Sequence, residues 1–371
     1  MTLLYSETEE FLRDSVRRLF ADRCPPGAVA AAYDGAADFS GLWKSLAGDL
    51  GVAGLIVPES LGGAGASARE AAVVLEEIGR AVAPVPFLSS AVLATTALLE
   101  AGDTALLPAL ASGERTAALA VPLTSGPPTS GPPTSGPARH AAAVRHGDGG
   151  LTGRVTSVAG AAEADVLVVP VAGDDGLELR TVARDAPGLT VTPVLALDMT
   201  RPLADVEFAG TPSARVGPGE DAVARALLAG AALLASEQVG LARWCLETTL
   251  AYVKERRQFG RQIGSYQAIK HRLADLWLEV GQATAAARYA ADTIARGDED
   301  AEIAAAVAQA YCSDVAVHAA EECVQLHGGI GMTWEHPAHL YLKRAKADQL
   351  ALGTPYHHRA RLGDLVDLPA S

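Results

Sequence analysis

Two periodicities divide the chain. Over residues 7–20 the apolar side chains Phe11, Leu12, Val16, Leu19 and Phe20 recur at helical spacing. Residues 68–82 carry a second helical stripe, which ends near Pro84 and Pro86, positions a helix does not easily cross. Between the two lies a glycine-rich loop at 57–65. The pattern then changes. Residues 117–122, 141–145, 166–171, 177–182 and 189–194 are short runs rich in Val, Leu and Thr, separated by Gly, Asp and Pro, and they predict strands. Within this stretch Thr-Ser-Gly-Pro-Pro repeats from 124 to 137, a composition that suits a solvated, polyproline-like linker. From about 219 onward the helical period returns. A long proline-free helix is expected over 221–254. A second would be capped by Ser265 and run to roughly Arg296. A third is expected over 300–326, stopped by Gly328 and Gly329, and a fourth over 334–351. Long apolar-faced helices with short connections predict a bundle. The expected fold is therefore α+β and multidomain: a helical domain over 1–115, a β-barrel or sandwich over 116–212, and a four-helix bundle over 213–371.

Composition sharpens this picture. With 371 residues, 49% of them hydrophobic, the chain can bury a large core. A net charge of −14 argues against nucleic acid or an anionic membrane as a general partner. Cys24, Cys245, Cys312 and Cys323 fit no zinc spacing or disulfide framework and are expected to be reduced, small apolar residues. The first residues carry neither a basic nor an apolar leader pattern, and the long apolar stretches are interrupted by polar residues, so a soluble cytoplasmic protein is expected.

Two segments carry candidate chemistry. The first runs Glu255-Arg256-Arg257-Gln258-Phe259-Gly260-Arg261, followed by Gly264 and Gln267. Three arginines beside a glycine turn can grip a phosphate or pyrophosphate through charge-assisted, bidentate hydrogen bonds. Phe259 adds an apolar plate and Gln267 an amide. The same residues could instead be a basic helix end that complements its own dipole. The second segment, Gln325-Leu326-His327-Gly328-Gly329-Ile330-Gly331, places three glycines just past a helix, where backbone can approach a ligand closely. Alone, those glycines also serve as helix caps.

Taken together, the two segments resemble the acyl-CoA dehydrogenase family, which carries Arg-x-x-Phe-Gly, then Gln, then Gln-x-x-Gly-Gly-x-Gly in this order. Pro58-Glu59-Ser60-Leu61-Gly62-Gly63-Ala64-Gly65 and Glu76-Glu77-Ile78-Gly79-Arg80 resemble the family's N-terminal marks. Lys343-Arg344-Ala345-Lys346 resembles its Arg-Asp-Ala-Lys, with arginine at the aspartate, and Gly353-Thr354 resembles the pair that follows its catalytic glutamate. The resemblance implies FAD as cofactor, an acyl-CoA substrate, an electron-transfer flavoprotein as acceptor, and a dimer-based assembly, usually a tetramer, with itself or with a homologous subunit. It implies that Arg256, Phe259 and Gln267 contact the flavin nucleotide of a neighbouring subunit. Gln325, Leu326, His327, Gly328 and Gly329 would line the adenosine and pyrophosphate side, and Thr354 would approach the cofactor.

The family reaction removes an α-proton from the thioester while a β-hydride moves to the flavin, so it needs a positioned carboxylate. At the family's usual base position this chain has Leu352, and at the alternative position, 26 residues before Arg256, it has Gly230. Neither can take a proton. Glu237 and Asp348 are the nearby carboxylates in sequence and are expected to be solvated or capping groups. The family's flavin-contacting Thr-Glu-Pro loop is replaced by Leu123-Thr124-Ser125-Gly126-Pro127-Pro128, and no tryptophan lies between Trp43 and Trp244. Ring-side and base positions are lost while nucleotide-side positions are kept. This selective loss favours a non-catalytic subunit that completes a partner's FAD site. The alternatives are an active homo-oligomer with a relocated base, or a flavin oxidase or monooxygenase of the same fold.

Overall fold

A computed structural model describes residues 3–33, 39–128, 143–173 and 176–368. Six α-helices lie in the N-terminal region: α1 (Glu7–Arg23), α2 (Pro26–Ala32), α3 (Ser40–Lys44), α4 (Ala68–Ala81), α5 (Thr95–Glu100) and α6 (Leu107–Ala111). α1 and α4 start on capping boxes, Ser6 with Glu9 and Ser67 with Glu70, which satisfy otherwise orphaned backbone donors. α4 ends where Val82 turns left-handed.

The middle region is one hydrogen-bonded mixed sheet of eight strands: β1 (Ala117–Leu119), β2 (Val144–Gly147), β3 (Gly150–Ala159), β4 (Val166–Gly173), β5 (Gly176–Ala183), β6 (Leu189–Val194), β7 (Leu203–Thr211) and β8 (Ala214–Pro218). Seven strands follow the order β6-β7-β3-β2-β4-β5-β8, and β1 lies parallel against β4. Its own small core includes Val155, Leu167, Val169, Val206 and Phe208. Sequence periodicity missed β3, β7 and β8. β3 and β7 alternate buried and exposed positions, but small and charged residues interrupt their apolar runs. The sheet therefore continues to Pro218, past residue 212. The expected strand over 141–145 begins at Val144, its first two residues lying outside the described ones, as do residues 129–137 of the repeat.

The C-terminal region is built on α7 (Glu220–Glu255), the two-residue strands β9 (Arg257–Gln258) and β10 (Arg261–Gln262), α8 (Gln267–Arg296), α9 (Ala301–His327), α10 (Ala338–Leu350) and α11 (Pro355–Leu365). α7, α8, α10 and α11 all pack on α9 or on one another. By length and composition α7 and α9 could cross a membrane; here both are the buried core of the bundle. Two boundaries and one element differ from expectation. Ser265 does not cap α8: its hydroxyl donates to the Gln262 carbonyl inside a 3-10 turn, and Tyr266 takes the cap position. α10 begins only after Pro337, because residues 328–332 form a 3-10 turn. α11 is an additional helix, capped by Thr354.

Two glycines fix how the N-terminal region sits on the bundle. A Cβ on Gly240 of α7 would lie 1.9 Å from the Glu76 carbonyl oxygen, and one on Gly79 of α4 would lie 2.0 Å from the Glu237 carbonyl oxygen. The helices cross in backbone contact, which no larger side chain permits. Arg243 donates to Glu76 at 2.6 Å beside this crossing, and Arg17 forks onto Glu77.

Candidate functional site

The helical ladder of α7 stops at Arg256, whose backbone turns extended. β9 and β10 then form a hairpin whose tip, Phe259 and Gly260, has φ of +50° and +79°. Consecutive left-handed residues suit the twist of a two-residue hairpin, but a bulky side chain pays a steric penalty there. Phe259 is also 93% exposed. An aromatic side chain held in solvent on a left-handed backbone makes this tip a candidate contact point. Arg256, Arg257 and Gln267 are exposed, and among the described residues Arg256 and Arg257 form no ion pair. Arg261 instead lies 3.7 Å over the Tyr266 ring, and the Tyr266 hydroxyl donates to the Gln258 carbonyl.

The second motif lies beside the first. Tyr252, one turn before Arg256, stacks on His327 with ring centroids 4.4 Å apart and donates to the His327 carbonyl at 3.3 Å. Gln325, Gly328 and Gly329 are exposed, and a Cβ on either glycine would meet nothing within 4 Å. Leu326 and His327 point inward instead. The His327 ring sits between Tyr252 and His336, and its Nδ1 lies 2.7 Å from the Cys323 carbonyl oxygen, so the side chain supports the turn from beneath. The Tyr252–His327 stack thus places the Gln325–Gly329 segment beside the last turn of α7, which ends at Arg256. Beside that end, α7 and α8 border an open groove of about 880 Å³ containing Leu250 and Trp277.

Thr354 lies elsewhere. Its hydroxyl oxygen accepts from the His357 N–H as the cap of α11. It belongs to the region where the two expected base positions converge. A Cβ on Gly230 would be 2.5 Å from the Leu93 Cδ2 and 3.0 Å from the Leu352 Cδ1. Leu93 is 4% exposed and Leu352 is fully buried, so leucine methyls fill this space. The segment 123–128 closes over it. The Leu352 N–H donates to the Leu123 carbonyl at 2.7 Å. Gly126 packs against Gly353 and His357, where a Cβ would be 2.6 Å from the His357 Nε2. His357 reaches the Pro127 carbonyl at 3.2 Å, and Arg361 donates to the Pro128 carbonyl at 3.1 Å. Burial holds His358 neutral, its pKa pushed down to about 4, with Nε2 2.9 Å from the Leu352 carbonyl oxygen.

Glu237 and Asp348 are neither solvated nor capping, contrary to the sequence expectation. Both are fully buried. Arg201, from the connection between β6 and β7, donates to Asp348 at 2.5 Å and to both oxygens of Glu237 at 2.8 and 2.7 Å. Arg344 donates to Glu237 at 2.6 Å and approaches Asp198 at 3.3 Å. Burial pays off for these charges only when partners replace the lost water, and here each carboxylate is taken by a guanidinium. Both carboxylates are thus paired inside the fold and shut off from solvent. Sequence reasoning missed the cluster because Arg201 and Asp198 lie far from Glu237 along the chain. The available signal was Arg344, an arginine where the family pattern has an acid.

The chain thus has an α–β–α layout with an exposed arginine–phenylalanine–glycine hairpin on its helical bundle. The acyl-CoA dehydrogenase N-terminal domain model matches residues 6–114 and the C-terminal domain model matches residues 217–365. The acyl-CoA dehydrogenase IpdE2 of Mycolicibacterium smegmatis is 36% identical over 359 residues, covering 96% of this chain and 98% of that protein. The ChsE4–ChsE5 complex from Mycobacterium tuberculosis superposes with a TM-score of 0.85 at 30% identity, covering all of both chains. The Tcur3481–Tcur3483 steroid ACAD G363A variant gives a TM-score of 0.84 at 30% identity, covering 99% of this chain and 99% of that one. The chain belongs to the acyl-CoA dehydrogenase family.

Proposed function

We propose that this chain is the non-catalytic member of a heteromeric acyl-CoA dehydrogenase, holding the nucleotide end of an FAD whose ring is housed by a homologous catalytic subunit. The observation that carries the proposal is a contrast within one molecule. Arg256, Arg257, Phe259, Gln325, Gly328 and Gly329 face outward and open, whereas the chain's own base region is filled by Leu93 and Leu352 and covered by residues 123–128. The outward set suits an elongated anionic nucleotide: a guanidinium for pyrophosphate, an aromatic plate, amides at Gln267 and Gln325, and glycine backbone that permits close approach. Bound FAD would supply the hydride acceptor for α,β-dehydrogenation. The proton acceptor would then come from the partner, since Leu352 and Gly230 stand at this chain's two base positions.

The heteromeric assembly is supported by the two-component ChsE4–ChsE5 and Tcur3481–Tcur3483 structures. That Tcur3481–Tcur3483 is a steroid ACAD supports a steroid-type acyl-CoA thioester as substrate here. An electron-transfer flavoprotein is the expected acceptor, and the cytoplasm the expected compartment. The test is anaerobic mixing of the lone chain with FAD and a steroid acyl-CoA. No bleaching of the flavin band is expected; bleaching at a stoichiometric level would defeat the proposal.

A further inference from the structure

The connection after β6, together with α7 and α10, encloses five ionisable side chains, none more than 8% exposed: Asp198, Arg201, Glu237, Arg344 and Asp348. Their charges do not balance. Three carboxylates face two guanidiniums. Arg201 bridges Glu237 and Asp348, and Arg344 bridges Glu237 and Asp198. Thr200 donates to Asp198 at 2.6 Å, and Tyr33 donates to it at 3.3 Å. Asp198 and Glu237 thus have donors on every side that the fold presents.

Asp348 does not. Its Oδ1 accepts from Arg201 and lies 3.7 Å from the Arg344 Nε, but its Oδ2 is buried with no partner. The groups packed around it offer none. From α7, Gln238 directs its amide N–H groups to the Ser313 hydroxyl and the Asp348 carbonyl. From α9, Gln309 directs its own to the Asp348 and Ala351 carbonyls, and the Ser313 hydroxyl is taken by the Gln309 carbonyl. Lys343, another cation of α10, lies instead over the rings of Tyr33 and Trp334 at 4.7 and 4.0 Å. An ionised Asp348 would therefore share two guanidiniums with two other carboxylates while its Oδ2 sat in low dielectric without a donor, so the cluster's third negative charge costs more than carrying a proton.

We propose that Asp348 carries a proton on the acid side of neutrality, and that its release places one uncompensated negative charge in the seam that joins the middle sheet to α7 and α10. The seam is thereby a proton-sensitive joint between regions, independent of any flavin or partner. Burial pushes the Asp348 carboxyl up to about 7, the Glu237 charge adding to the rise and Arg201 and Arg344 opposing it. The sign follows from linkage. A carboxyl whose folded pKa is raised stabilises fully below its unfolded value, and that contribution fades as pH rises toward the folded value.

The test uses the full chain with its aspartates carbon-13 labelled at the carboxyl. Near pH 5.5, about 1.5 units above an ordinary aspartate, one protonated-carboxyl signal is expected; it should titrate away around neutrality and be missing from Asp348→Asn. In parallel, the folded-to-unfolded ratio of the wild type, divided by that of Asp348→Asn, should fall about tenfold per pH unit between about pH 5 and about pH 7 and then level off. A wild-type spectrum with no protonated aspartate, a signal that persists in Asp348→Asn, or a ratio flat in pH would overturn the proposal. If Asp348→Asn does not fold, the labelled wild type decides alone: a buried aspartic acid titrating near neutrality supports it, and its absence refutes it.

Discussion

Replacing Leu352 with glutamate restores the residue type at the family's usual base position and probes whether that position is still a chamber. Leu352 is fully buried, has a left-handed backbone (φ +54°), and presses its Cδ1 toward Gly230 alongside Leu93. The left-handed backbone is equally unfavourable for glutamate, so the change isolates the side chain. Among these leucine methyls the new carboxylate would find no donor. Full burial raises a carboxyl pKa by about 3 to 5 units, each unit being worth about 1.4 kcal/mol. At neutral pH the group therefore loses about 4 kcal/mol whether it ionises at that cost or stays protonated and forfeits leucine's apolar burial and packing, worth about 2 to 5 kcal/mol. That is a large share of the total stability of about 5 to 15 kcal/mol typical of folded proteins. Because the raised pKa penalises the charged form, the deficit should be smaller at about pH 5 than at about pH 8. Denaturant unfolding at both pH values measures it, and an acyl-CoA titration of the flavin band asks whether chemistry returns. A stable Leu352→Glu chain that reduces flavin by itself would refute the reasoning, since it would mean that Leu93 and residues 123–128 do not close the site.

Three further outcomes follow from the same geometry. Arg256→Ala should leave the thermal stability of the lone chain unchanged, because the side chain is exposed and forms no ion pair among the described residues; in the assembled complex, loss of a charged hydrogen bond should weaken FAD retention by roughly 10- to 100-fold, read by flavin release on gel filtration. Phe259→Gly should stabilise the isolated chain by about 1 kcal/mol, by relieving the left-handed backbone, while weakening assembly, and calorimetry with analytical ultracentrifugation reads both. Glu237→Ala should cost about 3 to 5 kcal/mol in chemical unfolding, because it strips a buried carboxylate from both Arg201 and Arg344.

Much of the molecule was legible in the sequence because its signals are local. Helical stripes and the proline and glycine stops fixed the long helices, and the arginine turn is readable because Arg256, Phe259 and Gln267 fall within one loop and its flanking residues. What was not legible depends on distant pairing. β3 and β7 are held by their cross-strand partners more than by their own periodicity. Glu237 and Asp348 looked like ordinary charged residues until the fold brought Arg201 to them from the sheet. The closing of residues 123–128 over Leu352 is equally nonlocal, since it relies on His357 and Arg361 of a helix that the sequence did not announce.

The central claim, that this chain serves a flavin shared with another subunit, is tested most directly by counting flavin. The chain should be purified alone and co-purified with a homologous acyl-CoA dehydrogenase subunit, and FAD absorbance compared with protein concentration in each sample. The account predicts essentially no FAD in the lone protein and one FAD for each pair of unlike chains in the complex. One FAD per chain in the lone protein would contradict it.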